Sequence, residues 1–343
     1  MNDTFLRACQ GQHTEYTPVW LMRQAGRYMP EYRAIRSHVD FLTLCKTPDL
    51  AAQVTMQPVE MLGVDAAILF SDILVPLEPM GMRLEFYEKE GPVLSEPIRS
   101  KSDVERLIIP DIEADLPFVM EIIRILRKEL ADKVPLIGFS GAPFTLATYM
   151  IEGGTSKNFL NTKKLMFQHS NVFDYLMEKL SVTVTAYLSS QIRAGAQAVQ
   201  LFDTWAGILT PMDYKRFVLP YVKKVISEIK KEGVPVIYFA NECAGILKDI
   251  KKLKADVVGV DWRIELSDAI KKLGKNAVVQ GNLDPCALFL TRENLEERVK
   301  DILWKGESAK SHIFNLGHGI LPHTPVENVI AMVEAVHYYS RNA

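Results

Sequence analysis

Four arginines crowd one short stretch of this chain. Residues 20–36 read W-L-M-R-Q-A-G-R-Y-M-P-E-Y-R-A-I-R, where Arg23, Arg27, Arg33 and Arg36 outnumber the single acid Glu31 for a local charge of +3. Arginine presents a planar fork of donors that grips carboxylates or phosphates in bidentate fashion, which lysine cannot do. Lysine is plentiful elsewhere in the chain, so the choice of arginine here points to a ligand with several acidic groups. A solvated basic face, or pairing with nearby acids, would account for the cluster equally well. Gly26 and Pro30 oppose a long regular helix, and the segment reads as a loop over the mouth of the first strand.

A second candidate is Asp72, set in Phe70-Ser71-Asp72-Ile73-Leu74. A carboxylate among apolar neighbours is costly to bury unless a protein cation or a ligand donor pairs with it. Residues 138–145, G-F-S-G-A-P-F-T, form a glycine-rich turn that matches neither a phosphate-binding P-loop nor a G-x-S-x-G elbow. Tyr149 follows it and could offer a phenol to a pocket, although the residues alone favour a core tyrosine. His318 stands between Gly317 and Gly319 at the end of the last apolar run, a poor place for a packed core residue. Metal ligation has little support, because H-x-C, H-E-x-x-H and paired Cys/His spacings are all missing. G-x-G-x-x-G is also missing, against a nicotinamide or flavin site. Cys9, Cys45, Cys243 and Cys286 are scattered, which reads as reduced thiols in the cytoplasm.

These residues need a scaffold. Short apolar runs recur at 19–22, 64–70, 134–139, 198–202, 234–239, 256–260, 277–280 and 312–316, continuous rather than alternating, as strands buried on both faces should be. Helical patterns lie between them at 116–130, 173–192, 212–231, 266–273 and 295–305. Strand alternating with helix means an α/β fold with a parallel sheet, and eight such runs suggest a closed (β/α)8 TIM-type barrel. Nearly every run ends in a polar residue: Asp72, Ser140, Asp203 and Thr204, Asn241, Asp261, Asn282, Asn315, His318. Such residues either cap the following helix or line the C-terminal mouth where barrel enzymes keep their active sites. Taken together, they favour the mouth. A hairpin-like insertion follows the second strand, with Met82–Tyr87 and Pro92–Leu94 flanking Lys89-Glu90-Gly91. Residues 324–339 read as a terminal helix, and no linker divides residues 1–343, so one domain is expected.

Composition narrows the partners. The 343 residues carry 40 Lys+Arg against 42 Asp+Glu, a net charge of -2, with 48% hydrophobic residues. That excludes disorder and a global basic footprint for nucleic acid. The longest uncharged stretch, 134–151, contains two prolines and two glycines, and so reads as strand, loop and helix start rather than a membrane span. The N-terminal residues lack the apolar core of a signal peptide.

The motifs together resemble the uroporphyrinogen decarboxylase family. PVWLMRQAGRYMPEYR (18–33) and GFSGAPFTLATYMIEGG (138–154) are similar to its two signatures, and FSDIL (70–74), QLFDTWAG (200–207), VVQGNLDP (278–285) and FNLGHG (314–319) follow in the same order. The resemblance implies a (β/α)8 barrel, usually a homodimer, that removes CO2 from the four acetate arms of uroporphyrinogen without metal or organic cofactor. It implies that Arg23, Arg27 and Arg36 bind carboxylates and that Asp72 lies under the centre of the macrocycle. Tyr149, Phe202, Thr204 and His318 become pocket residues. Many relatives carry serine where this chain has Thr204, so the hydroxyl is kept.

Chemistry and ligand agree with that resemblance. Uroporphyrinogen carries eight carboxylates and four inward pyrrole N–H donors on a flexible apolar ring, which asks for rim arginines, apolar walls and a central anionic acceptor. Arg23, Tyr149, His318 and a bound water all remain open as proton donors. Two rivals remain: a methyltransferase of related fold, disfavoured by the missing zinc spacing, and a catalytically silent tetrapyrrole carrier.

Overall fold

The computed structural model describes residues 2–87, 91–131 and 133–341. Nine strands lie among them: β1 (Ala67–Ile68), β2 (Arg83–Tyr87), β3 (Gly91–Ser95), β4 (Leu136–Gly141), β5 (Ala198–Asp203), β6 (Val236–Ala240), β7 (Val257–Gly259), β8 (Val278–Gln280) and β9 (Ser311–Ile313). Seven of them form a parallel sheet in the order β1-β4-β5-β6-β7-β8-β9. Residues 18–20 close the ring. Phe314 N–H donates to the Pro18 carbonyl (2.8 Å) and Trp20 N–H to Phe314 (3.3 Å), while on the other flank Asp65 N–H donates to Val19 (2.8 Å). The result is a TIM-like α/β barrel.

The first expected strand, 19–22, is reduced to one bridged residue, Val19 opposite Phe314. Side chains take the donors that a longer ladder would use. Leu21 N–H goes to Gln24 Oε1 (3.1 Å) and Met22 N–H to Asn315 Oδ1 (3.1 Å). The closing segment is also held from below. Asp65, nearly fully buried, accepts hydrogen bonds from Val19 N–H (2.8 Å), the Tyr16 hydroxyl (2.8 Å) and Asn2 (3.0 Å). His337 on the C-terminal helix Val326–Arg341 also meets it at 2.7 Å.

Side chains alternate along each strand, and β5 shows the consequence. Ala198 packs with Ile137, Ile237, Val257, Val278 and Ile313 in one apolar cluster, joined by Phe5, Ala8 and Cys9 of the first helix. One layer up, Gln200 accepts from Gln280, which in turn accepts from the Trp20 indole. Another layer up, Phe202 meets the rings of Phe139 and Phe239 at the mouth. The barrel is filled from its floor to the level where the site begins.

Two helical expectations change at proline. The pattern over 212–231 divides into Pro211–Phe217 and Leu219–Ile229, with Pro220 in the second helix's first turn. A continuous helix would lose a backbone bond there and push the ring into the preceding turn. Pro30 likewise opens a helix, Pro30–Arg36, so the arginine segment is loop only through Met29. The insertion is the antiparallel pair β2–β3, with Tyr87 opposite Gly91. Its expected turn at Lys89-Glu90 lies outside the described residues. The hairpin and the segment that follows it steady the helix Pro143–Glu152, because Leu94 N–H donates to Gly153 (3.0 Å) and Ile98 N–H to Met150 (2.9 Å). No helix among the described residues is long and apolar enough to cross a membrane.

Candidate active site

Four segments from different parts of the ring bring Asp72, Arg23, Tyr149 and His318 into one electrostatic group at the C-terminal mouth. Asp72 lies just beyond β1, and its Oδ1 accepts the Leu74 N–H at 2.8 Å at the start of a short turn of helix. That backbone donor is the carboxylate's one hydrogen bond among the described residues. Burial pushes the Asp72 carboxyl up to about 6, against the opposing pull of the Leu74 N–H and the Arg23 charge. An anion held this way lacks strong donors, and a ligand's N–H groups could supply them.

Arg23 reaches the group from the closing segment, with its backbone in the left-handed region at φ 61. Its stem runs across Gly319, where an added Cβ would lie 2.5 Å from Arg23 Cδ. The H-G pair at the last strand end therefore leaves room for the arginine. Tyr149 sits on the helix Pro143–Glu152, its ring 6.0 Å from Trp205. Burial and the nearby Asp72 charge push its phenol up to about 12, offset in part by a hydrogen bond from Trp205, so it is neutral at physiological pH.

His318 lies between the rings of Phe239 and Trp262, both 6.2 Å away. Burial, Arg23 and Arg263 push its imidazole down to about 4. Its ordinary value would make it an acid at neutral pH. In this pocket it is a neutral ring, which weakens its candidacy as proton donor.

The arginines divide by their partners. Arg33 donates to the backbone carbonyls of Arg27 (2.8 Å) and Tyr28 (3.0 Å), so it braces the segment. Arg36 is half-buried and donates to the Val39 carbonyl at 2.6 Å. The Arg23 and Arg27 side chains are exposed, and neither has a hydrogen bond or ion pair among the described residues. Arg36 and Asp72 both act on the buried Cys45 thiol, which places them on the same side of the mouth. An aromatic wall stands there: Phe70 contacts Tyr32 (5.7 Å) and Phe41 (6.0 Å), and Phe41 contacts Phe86 of β2 (4.8 Å). Phe202 lines the other wall, and Thr204 follows β5 in a half-buried position.

Several polar strand ends serve the scaffold. Asp203 is fully buried, accepting from Tyr238 (2.7 Å) and Thr145 (2.9 Å). Thr145 also takes the Trp205 N–H (3.2 Å), so this network carries both Tyr149's helix and its indole partner. Asp261 holds the backbone N–H groups of Cys243 and Arg263, at 2.8 and 2.7 Å. Asn282 donates its amide to the Asp261 and Ile264 carbonyls at 2.9 and 2.7 Å, and Asn315 Oδ1 accepts the Met22 N–H. Sequence reasoning missed the aromatic wall, Trp205, Trp262 and Arg263. The only signal for the last two was the polar Asp261 immediately before them. Among the described residues, no group of three or more His, Cys, Asp and Glu side chains is arranged to hold a metal ion.

Comparison with known proteins agrees in sequence and in fold. Residues 1–339 match the family described as uroporphyrinogen decarboxylase (URO-D). The chain is 54% identical over 341 residues to the uroporphyrinogen decarboxylase of Geobacter metallireducens, covering 99% of this chain and 100% of that one. It is 54% identical over 342 residues to that of Pelobacter propionicus, covering 100% of both. In three dimensions a methyltransferase from Methanosarcina mazei superposes with a TM-score of 0.81 over 98% of each chain. At 21% identity that likeness speaks for the fold alone. The chain belongs to the uroporphyrinogen decarboxylase family.

Proposed function

We propose that the mouth binds uroporphyrinogen and removes CO2 from its four acetate arms to give coproporphyrinogen, a step of heme and related tetrapyrrole synthesis. The observation that carries this reading is Asp72, a half-buried carboxylate with one backbone donor, set between free arginines and aromatic walls. Four pyrrole N–H groups would supply its missing donors, each charge-assisted bond contributing roughly 1.5–3 kcal/mol.

A pyrrole acetate cannot lose CO2 directly, because the electron pair left behind has nowhere to go. Protonation of the ring carbon beside the arm makes a cationic ring that accepts that pair. CO2 then leaves, giving a neutral exocyclic methylene; a second proton on that carbon completes the methyl group, and loss of the first proton from the ring carbon restores the pyrrole. Asp72 as an anion stabilises the cationic ring by a preorganised charge in a water-poor site. Each acetate needs two proton deliveries and one proton return, a net uptake of one proton. The Tyr149 phenol, held neutral, and Arg23, beside Asp72, are the side chains whose protonation suits delivery, together with a water bound between them. His318, neutral at physiological pH, acts as a hydrogen-bonding wall. Arg23, Arg27 and Arg36 hold carboxylate arms, and Phe202 and Thr204 shape the pocket. The reading extends to residues 1–343 as one domain, working as a homodimer in the cytoplasm as the family resemblance implies. Free thiols at all four cysteines fit that compartment.

Anaerobic incubation with uroporphyrinogen, followed by oxidation and chromatography, tests the reading. Stepwise seven-, six-, five- and four-carboxylate products are expected. Unchanged substrate held tightly would identify a carrier instead.

A further inference from the structure

Arg263 is a cation at the mouth that nothing in the reaction has yet used. It comes four residues after the end of β7. Counting the ring as residues 18–20, β1, β4, β5, β6, β7, β8 and β9, the β7 position stands directly across the barrel from β1, beyond which Asp72 lies. Three contacts hold Arg263 in place. Its backbone N–H is fixed by Asp261 Oδ1 at 2.7 Å. Its guanidinium carbon lies 3.8 Å from the centre of the Trp262 ring. Its Nη1 donates to Asn241 Oδ1 at 3.0 Å.

The rest of the fork is open. The nearest acid, Glu242, is 3.7 Å from Nη2, too far for a hydrogen bond, and the Arg263 side chain remains 41% exposed. Trp262, the platform, is locked against the last strand end, because a Cβ on Gly317 would collide with its backbone nitrogen. It stands edge-on to His318, and the charges of Arg23 and Arg263 both act on that histidine. A guanidinium stacked on one face, anchored at one nitrogen and open along the remaining donors is prepared to accept a planar carboxylate.

We propose that Arg263, seated on Trp262 and anchored by Asn241, is a substrate-binding residue that grips a carboxylate arm of the tetrapyrrole on the far side of the mouth from Asp72. The inference rests on the proposed function. The arm it holds is one that is not reacting, since the reacting arm lies by Tyr149, which delivers a proton to it. Its role is to fix the macrocycle's rotation and tilt while another arm is decarboxylated. Coproporphyrinogen, which keeps its propionate arms, is then also held by Arg263.

Two variants and two readouts test this. Arg263→Gln removes the charge and most of the fork, and Arg263→Lys keeps the charge but loses the fork and the stacking. KM for uroporphyrinogen and, separately, Kd for coproporphyrinogen under anaerobic conditions are measured on the intact protein, with circular dichroism as the folding control. The expected result for Arg263→Gln is a roughly ten- to hundredfold rise in both constants, larger than the fall in kcat. Arg263→Lys should recover only part of it. Unchanged KM and Kd in a folded Arg263→Gln protein would overturn the inference while leaving wild-type decarboxylation intact. A fall confined to kcat would also overturn it, by showing that Arg263 acts only through its neighbours. Wild-type protein that neither turns over nor binds would overturn the proposed function and this inference together.

Discussion

Asp72→Asn removes a charge whose burial weakens the fold. Burial lifts the Asp72 carboxyl from 3.8 to about 6. A carboxyl that holds its proton more tightly when folded costs stability as pH rises; the cost begins near 3.8 and is complete above about 6. Worked as linkage, the anion costs about 2 kcal/mol at pH 5 and about 3 kcal/mol at pH 8. Asparagine keeps an oxygen for the Leu74 N–H, 2.8 Å away in the parent, and carries no charge. The variant should therefore be the more stable protein, and its advantage should widen by about 1 kcal/mol between pH 5 and pH 8. Any constant offset from the amide cancels in that difference. So does Asp203, which burial also pushes up to about 6 but which is present in both proteins. Urea denaturation of parent and variant at the two pH values gives the quantity. A gap that stays flat, or narrows toward alkaline pH, would show that Asp72 is not the poorly satisfied anion described here.

Other expectations follow from the same geometry. Gly319→Ala should push the Arg23 stem aside and lower kcat/KM about tenfold with little change in stability, since the clash is with a flexible side chain; unaltered kinetics would separate Arg23 from the site. Arg27→Gln should raise KM, whereas Arg33→Gln, which loses bonds of 2.8 and 3.0 Å to two carbonyls, should lower stability by roughly 1–3 kcal/mol. Equal effects on KM would refute that division of labour. The pH profile of kcat/KM should fall on the acid side near 6, where Asp72 gains its proton, and His318, neutral above about 4, should add no limb between those values. A limb near 6 that persists in a slow Asp72→Asn enzyme would assign it elsewhere.

The strands were legible because a parallel barrel buries both faces, so its strands read as continuous apolar runs such as V-I-Y-F-A in β6. The closing segment was legible only as an apolar run. Its reduction to one bridge depends on Asn315 and Gln24, distant or sideways partners that no local pattern reveals. The arginine segment showed its chemistry at once, but not which arginine is spent on its own backbone. Polar strand ends located the mouth, yet Asp203, Asp261, Asn282 and Asn315 proved to hold loops and helices in place. His318 was recognisable as a site residue, while its neutral state comes from burial and two cations, Arg23 and Arg263, that lie far apart in the chain. Arg263 was passed over because a single arginine has no spacing to betray it. Its significance lies in the Trp262 face and the Asn241 acceptor that folding brings to it.

The central claim is that the Asp72 anion stabilises a cationic ring while CO2 departs. Single-turnover decarboxylation of uroporphyrinogen by Asp72→Asn, with enzyme in excess and substrate binding measured in parallel, tests it most directly. The account predicts a folded protein that still binds the macrocycle and loses roughly 10²- to 10³-fold or more in the rate of first CO2 release. Near-normal release by that variant would contradict it.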